Sequence, residues 1–205
     1  MKLRNTAIAL GIGAATATGL SLLQVKKDLV VGSTAVVVGT GLMISLKDKN
    51  DINLKARNYE YFFNRAQDKF ELADYEEAIL EYNKALELSP KEICLVYSMR
   101  GNAKRNLGDF DGAISDQNKA LDFDPLYADG YFNRGIAKFK KGDFDGAIQD
   151  YSQVLKINPE DSDAFFNRAS VKKEIGDIEG ACKDWRKADD LGDDDAKKFL
   201  REHYE

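Results

Sequence analysis

The chain has 205 residues, 43% apolar and 32% charged, with 3 Pro, 2 Cys and 1 Trp and a formal net charge of −5. That balance fits a helix-rich globular protein and excludes a collagen, a disordered tail and a disulfide scaffold. Two cysteines make neither a disulfide framework nor a four-thiolate zinc site, and the lone histidine, His203, stands near the C-terminus, so counting excludes His-dependent triads and multi-His metal sites.

The charge is unevenly distributed. Residues 1–58 hold eight Lys/Arg against three Asp/Glu, net +5, which leaves 22 basic and 32 acidic groups, net −10, for residues 59–205. An acidic body repels phosphate backbones, so nucleic acid is not an expected partner.

In the basic front end two uncharged runs of eighteen residues lie back to back, Thr6–Leu23 and Leu29–Leu46. Each would reach about 27 Å as a helix, just short of a bilayer's hydrocarbon thickness. Residues 1–50 therefore hold two candidate membrane helices, at about 6–25 and 29–46, forming an N-terminal apolar helical hairpin through the short link Val25-Lys26-Lys27-Asp28. Gly11, Gly13, Ala15 and Gly19 on one run, and Gly32, Ala35, Gly39 and Gly41 on the other, would let two backbones approach closely.

Two other readings stay open. Lys2 and Arg4, the apolar Thr6–Ala14 and Ala15-Thr16-Ala17 also form a secretory signal with an A-x-A site, leaving the second run as an anchor. Alternatively the segment is a Gly/Ala-rich hairpin that self-associates in water. Basic pairs stand at every flank, so the charge rule sets no orientation. The hairpin reading places the protein at a membrane through residues 6–46 with its body on the cytoplasmic side, whereas the signal reading exports it. Residues 51–58 are read as a linker.

Past Tyr59 the chain repeats. Arg65, Arg100, Arg134 and Arg168 are spaced by 35, 34 and 34 residues, and Pro90, Pro125 and Pro159 follow the same steps; a period of this size signals a solenoid of stacked supersecondary units. In the unit 128–161 the 3.6-residue pattern predicts helices over Ala128–Lys141 and Phe144–Ile157 around a Gly142-Asp143 corner, closed by Asn158-Pro159. Each first helix carries an aromatic (Phe62, Tyr97, Tyr131, Phe165) and, four residues on, a small residue (Ala66, Gly101, Gly135, Ala169). Second helices alternate Ala78, Ala113, Ala147 and Ala181 with Tyr82, Tyr151 and Trp185, a series that Gln117 interrupts. Such alternation is what interdigitated helix packing needs, and no unit buries its face alone.

These residues and spacings resemble the tetratricopeptide repeat (TPR) family over four repeats, about 59–93, 94–127, 128–161 and 162–195, in an N-R-G version similar to many bacterial and cyanobacterial members. The resemblance implies an all-α, right-handed superhelical solenoid of helix-turn-helix repeats whose first helices line a concave, peptide-binding groove. The chain departs from the family pattern in placing the four arginines where leucine is usual, Lys69, Lys104, Lys138 and Lys172 where tyrosine is usual, and Asp193 where proline closes a repeat.

Asp193-Asp194-Asp195 can cap one more helix, at 194–205, with Ala196, Phe199, Leu200 and His203 on one face, the end cap that an open solenoid requires. Acids recur sixteen residues after each arginine, at Glu81, Asp116, Asp150 and Asp184, so ion pairs within each repeat are expected, worth at most about 1 kcal/mol if exposed.

By resemblance the groove is lined by Phe63, Asn64 and Gln67, by Ser98, Met99, Asn102 and Arg105, by Phe132, Asn133 and Ile136, and by Phe166, Asn167 and Ser170. Asparagine amides can hydrogen-bond a peptide backbone and phenylalanines offer apolar contact, a mixture suited to an extended peptide. The structural alternative is that Asn64, Asn133 and Asn167 only bridge neighbouring repeats. The family's carboxylate clamp also needs cations, and the chain has Ser98, Asp163 and Asn167 at those positions, so a chaperone-tail receptor is not expected.

Gly11-Ile12-Gly13 lacks the strand and third glycine of a nucleotide loop. Asp109-Phe110-Asp111-Gly112 and Asp143-Phe144-Asp145-Gly146 lack the ligand set of a calcium loop and read as helix caps. With no convergent acid, base, nucleophile, metal set or cofactor motif, the sequence reads as a non-catalytic, membrane-tethered adaptor that binds a protein or extended peptide. The rival reading is a structural protein in which the N-terminal hairpin drives self-association and the solenoid is a spacer or cap.

Overall fold

The computed structural model describes residues 35–38, 42–88 and 93–203. The chain divides into two units, 1–51 and 52–205. The first candidate membrane helix, at about 6–25, lies outside the described residues.

In the first unit, β1 (Ala35–Val38) and β2 (Leu42–Ser45) pair antiparallel, with Val36 opposite Ile44 and Val37 opposite Met43. The second candidate membrane helix, at about 29–46, falls partly outside the described residues, and these strands lie in the part that is described. Val36, Val37 and Val38 are β-branched and stiff at χ1, which favours a pleated strand, and Gly39 and Gly41 in the sequence between the strands weaken a helix. Among the described residues no helix is long and apolar enough to cross a membrane.

Helix α1 covers Leu46–Glu71 and runs through the segment 51–58 read as a linker. No glycine or proline interrupts it. The second unit continues as α2 (Tyr75–Glu87), α3 (Ile93–Asn106), α4 (Phe110–Phe123), α5 (Ala128–Lys141), α6 (Phe144–Ile157), α7 (Ser162–Glu174), α8 (Ile178–Asp190) and α9 (Asp194–His203). From α3 onward each helix packs on the one before and the one after it in the chain, and α3 also touches α5.

Local chemistry sets the corners. Gly142 follows α5 at φ 87°, a left-handed conformation that costs glycine nothing, and Ala73 takes the same role after α1 at φ 57°. Asp109, Asp143 and Asp177 then accept the backbone N–H three residues on, at 2.8–3.0 Å, and so cap the second helices.

The core is a column of alternating small and large side chains. Ala66, Ala78, Tyr82 and Ala85 form one buried cluster with Val96 and Ala103, while Ala169, Ala181, Trp185 and Ala188 form another with Ala196 and Leu200. At Gly135 an added Cβ would lie 3.0 Å from the Tyr151 ring, which is why only a very small residue fits where α5 crosses α6. Gln117, in the register of Tyr82, Tyr151 and Trp185, is also buried and donates from Nε2 to the Ser98 carbonyl at 3.1 Å. Helix α9 covers the end of the stack: Asp193 caps it through the Ala196 N–H, and Phe199 lies 4.3 Å from Trp185, centroid to centroid.

Candidate protein-binding face

The first helices α1, α3, α5 and α7 owe their positions partly to a charged column. Arg100 grips Asp116 through two hydrogen bonds, Nε to Oδ2 at 2.8 Å and Nη2 to Oδ1 at 2.6 Å. Arg134 and Asp150 repeat the fork at 2.9 and 2.6 Å, and Arg168 and Asp184 repeat it with both bonds at 2.8 Å. The lysine four residues after each arginine reaches the same carboxylate: Lys104 to Asp116 at 2.8 Å, Lys138 to Asp150 at 2.9 Å, Lys172 to Asp184 at 2.7 Å.

The remaining guanidinium nitrogen reaches back to the preceding repeat. Arg100 Nη1 donates to Asn83, Arg134 Nη1 to Asn118 and Arg168 Nη1 to Ser152. Each guanidinium also lies over an aromatic ring on its own helix, that of Tyr97, Tyr131 or Phe165, at 5.3–5.5 Å. The ion pairs expected from the sixteen-residue spacing are present, and in repeats two to four they are not exposed. The acids are 1–7% exposed and the arginines 13–18%, so each acid is a buried charge satisfied by two cations rather than a weak surface bridge.

The first repeat is looser. Arg65 stands 3.5 Å from Glu81, whose other partner is Lys84 at 2.9 Å, while Lys69 turns to Asp74 at 2.8 Å. The Lys69 contact holds the Asp74 carboxyl below its ordinary range. The role of the lysines escaped the spacing argument, although their constant twelve-residue offset from the acids was a usable signal.

The sequence-predicted face residues fall into three groups. Phe63 and Phe132 are half-buried and pack on Tyr82 and Tyr151, at 6.1 and 5.7 Å; Met99 joins the first core cluster and Phe166 the last. These form the floor of the face.

A second group is engaged locally. Ser98 is buried, and its carbonyl accepts from Gln117 Nε2 at 3.1 Å. Asn167 donates to the Asp163 carbonyl at 2.8 Å, one turn back on its own helix, so it does not bridge repeats through that bond. Ser170 donates to the Phe166 carbonyl at 3.0 Å.

A third group presents polar atoms. Asn64 is exposed, Gln67, Asn102 and Asn133 are half-buried, and Asn102 accepts only a long 3.4 Å bond from Gln117. Arg105 and Ile136, from neighbouring first helices, line one open cavity of about 460 Å³ with Asn106, Gly108, Phe110 and Lys140. Burial lowers the Arg105 pKa from its ordinary value, against smaller opposing effects from the hydroxyls of Tyr151 and Tyr75. Among the described residues no group of three His, Cys, Asp or Glu side chains could hold a metal ion.

A stacked array of helix pairs, locked by a recurring small–large core, is an α-solenoid. Residues 59–92 and 128–161 each match the family described as Tetratricopeptide repeat, and residues 101–142 match the family described as TPR repeat. Residues 162–190 match none of these, yet carry the same helix pair and the same Arg168–Asp184–Lys172 network. No curated protein matches the chain.

Among solved structures, the chain is similar to the crystal structure of MamA, at 22% identity and a TM-score of 0.63, over 73% of this chain and 86% of that one. It is similar to the first TPR of Spaghetti (RPAP3) bound to the HSP90 peptide SRMEEVD, at 25% identity and a TM-score of 0.56, over 58% and 94%. It is also similar to YrrB, a TPR protein with an unusual peptide-binding site, at 19% identity and a TM-score of 0.59, over 72% and 81%. The TPR fold commonly mediates protein–protein interaction, its members are typically non-catalytic adaptors, and neighbours of this chain bind peptides.

Proposed function

We propose that the chain is a non-catalytic adaptor that binds an extended segment of a partner protein along its first-helix face. The observation that carries this reading is the contrast along that face. The arginines and lysines of repeats two to four that pack beneath it are satisfied by buried acids, whereas Asn64, Asn102, Asn133 and Arg105 keep hydrogen-bonding capacity at or near the surface. Underused amides over an aromatic floor suit a peptide backbone with apolar side chains.

Attachment to a membrane is the second half of the proposal and rests on the uncharged run Thr6–Leu23 alone. With residues 35–38 and 42–45 paired as strands, one span is the form of the proposal that agrees with the rest of the chain.

The test is a partner-capture comparison between the full chain and the Asn102→Ala/Asn133→Ala variant. The reading expects specific partners to drop out of the variant's set. Identical partner sets would refute the face assignment. Fractionation of the full chain against a form lacking residues 1–34 tests attachment separately: the full chain should sediment with membranes, and equal solubility of the two forms would refute it.

A further inference from the structure

We propose that the cavity between the C-terminal ends of α3 and α5 receives an acidic side chain of the bound segment together with an adjacent apolar one. The inference rests on the adaptor reading and adds the chemistry of the partner. Its basis is an imbalance of charge. Arg100, Lys104, Arg134, Lys138, Arg168 and Lys172 each meet an acid within 3 Å, and Lys141, next to the cavity, pairs with Asp111.

Arg105 and Lys140, which line the cavity from neighbouring first helices, have no acid within ion-pair distance among the described residues. Arg105 is also partly withdrawn from water. Two like charges facing one space repel, and a partly desolvated guanidinium without a counter-charge is costly, so an arriving carboxylate relieves both. A guanidinium can take both carboxylate oxygens through paired N–H bonds, with the ammonium as a second point charge.

The other walls define the neighbouring group. Phe110 and Ile136 are apolar and half-buried, and Asn106 supplies one amide for the segment's backbone. A volume of about 460 Å³ falls within the usual range of ligand pockets and exceeds what one small carboxylate needs. The carboxylate is assigned to an Asp or Glu inside a continuing segment, not to a chain terminus, because the positions where the family's terminal-carboxylate clamp holds cations are Ser98, Asp163 and Asn167 here.

The experiment is a positional-scanning library of decapeptides with amidated C-termini screened against the full chain, followed by fluorescence anisotropy on the selected sequences. The proposal expects selected peptides to carry Asp or Glu next to Leu, Ile or Phe. Replacing the acid by its amide should weaken binding about 10-fold or more, as loss of a charge-assisted pair does. In the Arg105→Glu/Lys140→Glu variant the preference should invert toward basic peptides, and in Arg105→Gln/Lys140→Gln it should vanish while the helical circular-dichroism signal stays unchanged.

Selection without acid enrichment, an unchanged preference in the charge-reversed variant, or binding only by peptides with a free C-terminus would each overturn the proposal. Partner capture that depends on Asn102 and Asn133 but survives the charge reversal would overturn it while leaving the adaptor reading intact.

Discussion

Arg134 and Asp150, sixteen residues apart on α5 and α6, face each other through two parallel hydrogen bonds, Nε to Oδ2 at 2.9 Å and Nη2 to Oδ1 at 2.6 Å. Lys138 adds a third contact to the same carboxylate, and Arg134 Nη1 reaches Asn118 on α4. One guanidinium therefore ties three consecutive helices and couples a repeat to the one before it, which is the interface term on which a solenoid's cooperativity depends.

Breaking this network should cost more than removing it. Arg134→Leu leaves Asp150 buried with Lys138 alone, and should destabilise by about 3–5 kcal/mol. The triple change Arg134→Leu/Lys138→Tyr/Asp150→Leu removes the buried charges together and should return stability to within about 1 kcal/mol of the parent. Urea midpoints of the single and triple variants check the order; a triple variant no more stable than the single one would contradict it.

Ala73 holds the left-handed corner conformation, φ 57°, that Gly108, Gly142 and Gly176 supply in later repeats. A Cβ costs about 1–2 kcal/mol there, and glycine's greater freedom in the unfolded chain returns part of that difference. Ala73→Gly should therefore raise stability by about 0.5–1 kcal/mol, whereas Gly142→Ala should lower it by about 1 kcal/mol. Thermal melts of both variants provide the comparison.

Tyr82 is buried with no hydrogen-bond partner for its hydroxyl, and burial pushes its pKa up to about 12. Burial pushes Tyr151 the same way. The folded state thus keeps a proton that the unfolded chain releases near pH 10, so this contribution is complete below about pH 10 and is lost as pH rises toward 12. Tyr82→Phe should flatten the decline in stability across pH 10–12 by up to about 1.4 kcal/mol per pH unit, and at pH 7 it should be neutral or stabilising. Parallel urea titrations at pH 7 and pH 11 give the reading.

Leu200 is 4% exposed, against the cluster that contains Trp185. Leu200→Ala should cost about 2–5 kcal/mol and loosen the last repeat first. Hydrogen exchange resolved by helix should show α8 and α9 losing protection before α3 to α6.

The periodicity of residues 59–195 made the helical stack legible, because each repeat restates the same small, large and corner residues. The spacing of arginine and acid located the ion pairs, but not their burial. Burial depends on Tyr97, Tyr131 and Phe165 covering the guanidiniums and on the preceding repeat closing over them, and neither is a property of one helix. In the run Leu29–Leu46 apolar length alone does not separate a spanning helix from paired strands, and the β-branched Val36, Val37 and Val38 favour strands. On the binding face, Arg105 and Ile136 were legible as candidates, whereas their meeting with Phe110 and Lys140 in one cavity needed the packing of α3 on α5.

The central claim, that a partner lies along the first-helix face, is tested most directly by site-specific photocrosslinking in the full chain. A benzophenone side chain would stand at Asn102, at Asn133, or at the exposed Gln149 on second helix α6. The account predicts that one partner crosslinks from Asn102 and Asn133 and not from Gln149. Crosslinking from Gln149 alone, with none from the two asparagines, would contradict it.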